Sequence, residues 1–343
     1  MQDVIRQYED KTVAVTGGRG YLGSALSQAL RNTPARVLLV SRGGLVPLPG
    51  AESFEADIRT EECWREIVHR ADIVFHLAGN TSVHAAAADP AESLRSTVLP
   101  LTHLAAAARA ARQAPRVVYA STATVYGLTD TLPVAEETEP KPVTTYDLHK
   151  LFAEKQLELA SDQGILGGIS LRLANVYGPS SRPSSADDRG VLNQIATLAL
   201  GGSDLPLYGD GHYLRDYVYI DDVVRAFLMA GVQDRMVGRS FNVGSGSGIT
   251  VRDAFHLVAE RAAKTAGKRS QVREIPWPEG TDQIEFRNFT AAIDRISSAC
   301  GWSPTVSLIE GVDRLIDSLI AIAHIDGEPP DRAGTQHRHA RLQ

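Results

Sequence analysis

The sequence predicts an α/β fold, with a doubly wound parallel sheet covered by helices on both faces and a smaller, discontinuous α/β domain that binds substrate. Three observations predict this fold. Short apolar runs rich in β-branched residues alternate with longer segments of helical periodicity. A glycine-rich turn joins the first run to the first helix, and polar residues follow later runs. This alternation is typical of parallel strands, which are buried on both faces.

Composition indicates a globular protein of one large domain or two modest ones. The chain has 343 residues, of which 43% are hydrophobic and 22% charged, and its net charge is −6, so we expect no nucleic-acid partner. Cys63 and Cys300 are far apart, which argues against a disulfide framework and a metal site. We find neither a run of about 18 apolar residues nor a signal peptide. We therefore expect a cytoplasmic protein without a membrane partner.

The first strand and the turn after it predict a dinucleotide site. KTVAVT at residues 11–16 suits a buried strand, and GGRGYLG at residues 17–23 leads into a helix. In this context Gly17 makes the tight turn, Gly20 lets the backbone approach a pyrophosphate, and Gly23 lets the helix pack closely on the strand. The helix N-terminus then offers free N–H groups to the phosphates. A purely structural glycine turn is the alternative. The residues of this turn predicted to bind cofactor are Gly17, Gly20, Tyr21 and Leu22.

The end of the second strand bears on which dinucleotide is bound. RVLLV at residues 36–40 is followed by Ser41 and Arg42, where an NAD site usually carries an acidic residue. An acid would bond the ribose 2′-hydroxyl and repel a 2′-phosphate, whereas serine and arginine favour the phosphate. We therefore expect NADP rather than NAD. The alternative is that Arg42 is a solvated loop residue and that NAD binds without the acidic anchor.

Two later strand ends are expected to complete the cofactor pocket. Asp57 is placed to meet the adenine, and Ile58 to pack on it. A helix predicted at residues 61–70 leads to the strand ADIVFHLAG, whose small terminal residues let the backbone pass close to the cofactor. The residues predicted here are Leu77, Ala78 and Gly79 for the cofactor and Asn80 for the substrate.

A hydroxyl-rich strand end and a tyrosine–lysine pair predict the chemistry. Ser121 and Thr122 follow the strand RVVYA, and such positions point into the ligand crevice of a doubly wound sheet. Tyr146 and Lys150 lie four residues apart, one helical turn, on the same helix face. The ammonium would lower the pKa of the phenol, ordinarily about 10, so that Tyr146 could act as a general base or acid. By itself this spacing is also common on solvated helix faces.

These motifs, in this order and spacing, resemble the extended short-chain dehydrogenase/reductases. More narrowly, they resemble the NAD-dependent epimerase/dehydratase family, which includes nucleotide-sugar epimerases. The similarity extends from about residue 11 to about residue 320. It includes four later motifs: RLANVYGP, GDGHYLRDYVYIDDV, FNVGSG and GWSPTVSLIEGV.

The resemblance implies a discontinuous domain layout. Residues 1–176 and about 211–247 would form a Rossmann domain that binds NAD(P), and about 177–210 with 248–325 would form the substrate-binding domain. Residues 326–343 have no apolar periodicity and are predicted to be a disordered tail. The loop at residues 179–190 is expected to order when substrate binds, or else to be a plain surface loop.

The resemblance also implies the catalytic roles. Tyr146 would be the catalytic base, and Lys150 would hold the nicotinamide ribose and depress the pKa of Tyr146. Thr122 occupies the position that hydrogen-bonds the reacting oxygen, with Ser121 beside it.

Three further positions follow from the same resemblance. Asn175 would contact the sugar or its phosphates, Arg215 would bind the substrate pyrophosphate, and Tyr177 would flank the nicotinamide. A guanidinium suits the pyrophosphate because it bonds phosphate oxygens in pairs.

Departures from the family pattern narrow the reaction. Dehydratases carry an acid pair where this chain has Ala123 and Thr124, and decarboxylases carry a glutamate at the second position, so neither reaction is favoured. Near residues 278–282 the usual arginine for the nucleotide is absent; Arg273 and Arg287 lie close in sequence without aligning cleanly.

These arguments lead to a first hypothesis of an NAD(P)-dependent nucleotide-sugar epimerase, acting at the 4-position. The alternative enzyme is an NADPH-dependent ketoreductase, and a catalytically silent dinucleotide sensor is a third hypothesis. A homodimer is expected through the helices around residues 94–112 and 146–160.

Overall fold

A seven-stranded parallel sheet forms the centre of the structure, a computed structural model that describes residues 1–43, 48–180 and 190–326. The strand order is β10-β6-β5-β4-β1-β2-β3. The order reverses between β1 and β4, which opens a crevice at the carboxyl ends of the strands. The strands are β1 (Thr12–Thr16), β2 (Arg36–Ser41), β3 (Ala51–Glu55), β4 (Ile73–His76), β5 (Arg116–Thr122), β6 (Gly167–Leu173) and β10 (Arg239–Val243).

Alternate residues of the strands belong to two different cores, one on each face of the sheet. Val13 and Val15 of β1 pack in the core that holds Leu26, whereas Ala14 packs in the core that holds Trp64. Both faces are therefore apolar, as the continuous hydrophobic runs of the sequence predicted. The helices of the first 162 residues are α1 (Gln2–Arg6), α2 (Tyr21–Leu30), α3 (Glu61–Arg70), α4 (Val83–Ala88), α5 (Pro90–Thr97), α6 (Leu99–Ala111) and α7 (Thr145–Asp162).

The alanine-rich segment after α4 forms two helices, α5 and α6. Val98 separates α5 from α6, and Pro100 lies in the first turn of α6, where a missing N–H costs no hydrogen bond. None of the helices in the described part of the chain is long and apolar enough to cross a membrane.

Two small sheets and three packed helices lie beyond the crevice. One sheet has the order β11-β9-β7 and the other pairs β12 with β8. Helices α8, α10 and α12 contact one another, while α9 packs on the main sheet. The elements are β7 (Asn175–Tyr177), α8 (Val191–Gly201), β8 (Leu205–Tyr208), β9 (Leu214–Tyr219), α9 (Ile220–Val232), β11 (Gly248–Thr250), α10 (Val251–Ala266), β12 (Val272–Ile275), α11 (Asp294–Cys300) and α12 (Leu308–Asp326), with short 3₁₀ helices η1 (Ala123–Tyr126), η2 (Asp234–Met236) and η3 (Gln283–Phe286).

Two buried aspartates join the late sequence motifs. Asp216 accepts hydrogen bonds from the backbone N–H groups of Ser245 (2.6 Å) and Ala291 (3.0 Å). Asp222 accepts from the N–H groups of Thr305 and Val306, both at 3.0 Å. The motif GDGHYLRDYVYIDDV is therefore bonded to both FNVGSG and GWSPTVSLIEGV. The predicted mobile loop lies mostly outside the described residues, as does nearly all of the predicted tail.

Candidate active site

The glycine-rich turn leaves no room for a side chain at Gly17 or Gly23. Gly17 has a φ of +72°, and a Cβ there would lie 2.8 Å from the backbone nitrogen of Ala78. A Cβ on Gly23 would lie 2.0 Å from the carbonyl oxygen of Gly17. Helix α2 begins directly after Gly20, and no side chain caps its first N–H groups. The tight packing of the turn and the uncapped N-terminus of α2 together fit a dinucleotide pyrophosphate.

A buried histidine fixes the two strand ends beside this turn. The Thr16 hydroxyl oxygen lies 2.8 Å from His76 Nδ1 and accepts from the N–H groups of Leu77 and Ala78, at 3.2 and 3.3 Å. Burial lowers the pKa of His76 to about 3, so the ring is neutral. His76 therefore acts as a structural anchor for β1 and β4.

Tyr146 and Lys150 lie on one face of α7. The Lys150 ammonium nitrogen lies 5.7 Å from the centroid of the Tyr146 ring. It donates a 2.9 Å hydrogen bond to the carbonyl of Ala120 in β5. Because Thr122 ends the same strand, this bond ties the start of α7 to the hydroxyl-bearing strand end.

The ammonium of Lys150 is held in a poorly solvated position. Burial lowers its pKa to about 8, and the charge of Glu154 opposes that effect. The ammonium nitrogen also lies 4.9 Å from the centroid of the Tyr119 ring, a cation–π contact. A cation with little surrounding water acts more strongly on a neighbouring phenol than a solvated cation does.

Thr122 presents its hydroxyl at the carboxyl end of β5. Its side-chain oxygen lies 2.9 Å from the Thr124 hydroxyl oxygen and accepts from the Thr124 N–H at 3.2 Å. The side chain is buried except for a small exposed part. The structure thus places a hydroxyl where the sequence predicted one.

A buried ion pair between α7 and β6 was not predicted from the sequence. Glu154 and Arg172 form an ion pair of 2.6 Å, and both side chains are buried. The Ser121 hydroxyl donates to Glu154, so the predicted contact of Ser121 with substrate would compete with this bond. The signal was present, because Glu154 continues the four-residue spacing of Tyr146 and Lys150.

Comparison with known proteins decides the family. Residues 13–244 match the NAD dependent epimerase/dehydratase family. The chain belongs to this family. A UDP-glucose 4-epimerase of Azospirillum brasilense is 31% identical over 322 residues, which cover 88% of this chain and 90% of that protein.

Solved structures of similar proteins share the fold. The structure of UDP-glucose 4-epimerase from Thermotoga maritima with UDP-glucose superimposes with a TM-score of 0.81 and is 30% identical in sequence. The match covers 91% of this chain and 99% of the Thermotoga maritima chain. MoeE5 in complex with UDP-glucuronic acid and NAD has a TM-score of 0.78 and 30% identity, with the same coverage. The predicted Rossmann fold is therefore confirmed.

Within this epimerase/dehydratase fold, Asp57, which was predicted to meet the adenine, forms an ion pair with Arg59. Arg59 donates to both carboxylate oxygens of Asp57, at 3.0 and 2.6 Å, and this lowers the pKa of Asp57. Ile58 is buried, and its carbonyl accepts from the Trp64 indole at 2.6 Å. Adenine would therefore meet an Asp57 whose oxygens are already bonded.

Arginines surround the end of β2. Arg42 is exposed beside Ser41. Arg19, from the glycine-rich turn, donates to the carbonyl of Gly43 at 2.8 Å. The carboxylate of Glu55, at the end of β3, approaches Gly43 as well. Arg19 lies inside the glycine-rich motif GGRGYLG, but no role was predicted for it.

Tyr177, which was predicted to flank the nicotinamide, lies in the core. Its side chain is only 1% exposed, and its hydroxyl donates to the carbonyl of Leu308 in α12 at 3.4 Å. The ring packs against Tyr219, 5.6 Å between centroids. Strand β7 pairs with β9 and not with the main sheet, and no local sequence feature predicted that pairing.

Arg215 is buried and lies near a second arginine. It donates to the backbone carbonyls of Arg287 and, at 2.7 Å, of Glu285. Burial and the charge of Arg287 lower the pKa of Arg215 to about 9. The Glu285 carboxylate is 4.0 Å away. Two positive charges that act on each other in this way favour an anion near them.

The remaining predicted residues line the crevice with partial exposure. Tyr21 donates its hydroxyl to the carbonyl of Gly178 at 2.8 Å, which joins the glycine-rich turn to the segment after β7. Asn80 accepts from the Ser82 N–H at 2.8 Å. Asn175 begins β7 and is half-buried. Leu22 and Leu77, which were predicted to bind the cofactor, are half-buried.

Proposed function

We propose that this protein is an NAD(P)-dependent nucleotide-sugar epimerase acting at the 4-position of the sugar. The observation that carries the proposal is the bond from Lys150 to the carbonyl of Ala120, two residues before Thr122, which supports a shared site for Tyr146, Lys150 and Thr122. The names of the relatives support the substrate class. Ala123 and Thr124 supply no carboxylic acid, which supports epimerisation over dehydration.

Each side chain has a defined task in this reaction. Tyr146, as the phenolate, accepts the proton of the substrate hydroxyl, and Lys150 stabilises that phenolate. Thr122 hydrogen-bonds the same oxygen. A dinucleotide bound at Gly17 and Gly20 would accept hydride from the carbon that bears this hydroxyl and would return it to the opposite face of the same carbon. Tyr146 gives the proton back at the end, so the protein is unchanged.

Arginines and aromatic rings support a nucleotide diphosphate as the other half of the substrate. Arg215 and Arg287 would share the pyrophosphate charge. Tyr208 stacks on Trp277, with centroids 5.2 Å apart and planes at 22°, and the exposed ring of Phe286 lies 5.2 Å from Trp277. Such rings are suited to stacking on a base.

Cofactor consumption tests this function. Purified protein is incubated with UDP-glucose or UDP-glucuronic acid, and the products are resolved by chromatography. An epimerase interconverts the 4-epimers with no net change in absorbance at the wavelength of the reduced nicotinamide. A ketoreductase, the candidate that Arg42 favours, instead leaves these sugars unchanged, because they carry no ketone, and consumes one NADPH for each product when it is given a nucleotide keto-sugar. Stoichiometric consumption would overturn the epimerase proposal.

We further infer a preference for NADP. Arg42 and Arg19 bring two guanidinium groups to the end of β2, and no acidic residue stands at positions 41–42. A 2′-phosphate would gain charge-assisted hydrogen bonds there. The nearby Glu55 opposes this preference and would favour NAD.

The substitution Arg42→Ala tests whether the protein binds NADP more tightly than NAD. Arg42→Ala is expected to raise the Kd of NADP about tenfold, by loss of one charged contact, and to leave the Kd of NAD within about twofold. Arg36→Ala, at the opposite end of β2, is the matched control and should change neither. Fluorescence titration measures both constants, and an unchanged Kd for NADP would contradict the preference.

We also propose a homodimer through α5, α6 and α7, the helices around residues 94–112 and 146–160. Three apolar side chains of α7 are exposed, Leu148 at 38%, Phe152 at 46% and Leu159 at 57%, and Leu94 of α5 is exposed at 42%. Apolar side chains grouped on adjacent helices are suited to burial in an interface. Light scattering of Phe152→Glu is expected to give the one-chain mass and the wild type the two-chain mass. A one-chain mass for the wild type would refute the dimer.

A further inference from the structure

Two buried cations near the crevice are stabilised in different ways. The Arg172 guanidinium pairs with the Glu154 carboxylate, whose two oxygens both accept from it. The Lys150 ammonium forms no ion pair with any carboxylate of the described residues. On β5 its neighbours are neutral, the carbonyl of Ala120 at 2.9 Å and the ring of Tyr119 at 4.9 Å from the ring centroid. A buried cation without a carboxylate is costly, so its neutral neighbours require an explanation.

The ring of Tyr119 is held firmly in place. It is 1% exposed and stacks on His76, with centroids 5.6 Å apart and planes at 26°. Trp64 meets the His76 ring edge-on, with centroids 5.2 Å apart. The Tyr119 hydroxyl completes no hydrogen bond with the described residues. The contact with the ammonium is therefore made by the ring and not by a hydrogen bond from the hydroxyl.

A ring and a carboxylate stabilise a cation differently. A carboxylate would accept one of the three ammonium hydrogens and cancel much of the positive charge that acts on a neighbouring phenol. The π face of an aromatic ring attracts a cation, most strongly where water is excluded, but carries no net charge. The Lys150 ammonium lies 5.7 Å from the centroid of the Tyr146 ring, so its full charge acts on that phenol.

The side chains around Lys150 leave it as the group that titrates near neutral pH. The titratable and charged groups that face it are Tyr146 and Glu154 on α7, Tyr119 on β5, His76 on β4 and Arg172 on β6. Burial raises the pKa of Tyr119 well above its ordinary 10 and lowers that of His76 to about 3, so both of these rings are neutral. Burial lowers the pKa of Lys150 to about 8, and the charge of Glu154 opposes that effect.

We propose that Tyr119 is a positioning residue whose ring holds the Lys150 ammonium beside Tyr146 by a cation–π contact. The inference rests on the proposed function, in which Lys150 stabilises the Tyr146 phenolate. The ring stabilises the charged form of the lysine without neutralising it. The Ala120 carbonyl accepts one ammonium hydrogen, and the other hydrogens are left for the phenol and the cofactor.

Ring fluorination tests this contact, because fluorine withdraws electron density from the π face and barely changes the shape of the ring. Position 119 of the full chain is changed to phenylalanine, and then to phenylalanine with one, two or three ring fluorines. The ionisation of Lys150 is followed by NMR of protein labelled with carbon-13 at lysine Cε, and its signal is assigned by its loss in Lys150→Met.

A weaker π face disfavours the ammonium, so the pKa of Lys150 should fall stepwise, from about 8 to about 7 with three fluorines. Because the charged lysine is present only below its pKa, the alkaline fall of kcat should move to lower pH by the same amount. The plateau value of kcat and KM should stay within about twofold. UDP-glucose or UDP-glucuronic acid, whichever turns over faster, is the probe.

Two controls separate the ring from other effects. Tyr119→Phe keeps the ring and removes only the unpartnered hydroxyl, so the pKa of Lys150 should stay near 8 and the melting temperature should not fall. The same fluorinated rings at Phe75, a buried residue of β4 in the core on the other face of the sheet, should leave the Lys150 titration unchanged.

The outcomes distinguish this inference from the proposed function. A pKa of Lys150 that does not depend on fluorine number, or that moves equally with fluorination of Phe75, would overturn the inference. If the more fluorinated chains do not fold, the chain with one fluorine decides by the same criterion. A stepwise fall of the pKa with an unmoved kcat profile would overturn the catalytic role of the contact. Absence of turnover from the wild type removes the proposed function, and the NMR titration still measures the contact itself.

Discussion

Tyr146→Phe is expected to lower kcat about 10³-fold or more while the protein still binds dinucleotide. The substitution removes only the hydroxyl that exchanges a proton with the substrate, and a positioned acid–base group contributes 10²- to 10⁴-fold. The ring remains, so its packing against the Lys150 side chain is retained. Chromatographic assay of epimer formation measures the loss, and fluorescence titration measures the cofactor affinity.

Tyr8→Phe is the matched control for that loss. The Tyr8 hydroxyl is also buried and donates to the carbonyl of Leu228 at 2.7 Å, but far from the crevice. Its removal should lower thermal stability and leave kcat within about twofold. Full activity in Tyr146→Phe would refute the assignment of the base, whatever the substrate proves to be.

Most of the fold was predictable because its elements carry local signals. The predicted helix at residues 61–70 is α3, which begins at Glu61 and ends at Arg70, because Thr60 caps it and its apolar residues repeat with helical spacing. The apolar runs predicted β1, β2 and β5 to within two residues at each end, and β4 to within three. The steric need for Gly17 and Gly23 was likewise readable from the strand–turn–helix context.

The remainder of the site depends on contacts distant in sequence. Nothing near Ser121 shows that Glu154 will accept its hydroxyl, 33 residues away. Arg287 comes close to Arg215 through a contact between segments 72 residues apart in the chain. Arg287 does not align cleanly with a family motif, so this contact was not predicted. The burial of Tyr177 was not predicted, because local sequence does not reveal that β7 pairs with β9.

Lys150→Met is expected to lower kcat about 10²-fold and to change its dependence on pH. The ammonium stabilises the Tyr146 phenolate, and methionine fills similar space without charge. Burial lowers the pKa of Lys150 from its ordinary 10.5 to about 8. The useful cation is therefore present below about pH 8 and is lost above it. Wild-type kcat should fall as pH rises through that value, whereas the variant should show no such fall.

Lys155→Met gives the matched control on the same helix. Lys155 pairs with Glu158 at 2.7 Å at the surface, with its side chain 61% exposed, so its loss should leave both kcat and the pH profile unchanged. The profile separates two roles for Lys150. If Lys150 only held the ribose, Lys150→Met would raise the Kd of the dinucleotide. The fall of kcat at alkaline pH would then remain at saturating cofactor. A variant that keeps that fall would show that another group titrates there and that the ammonium does not tune Tyr146.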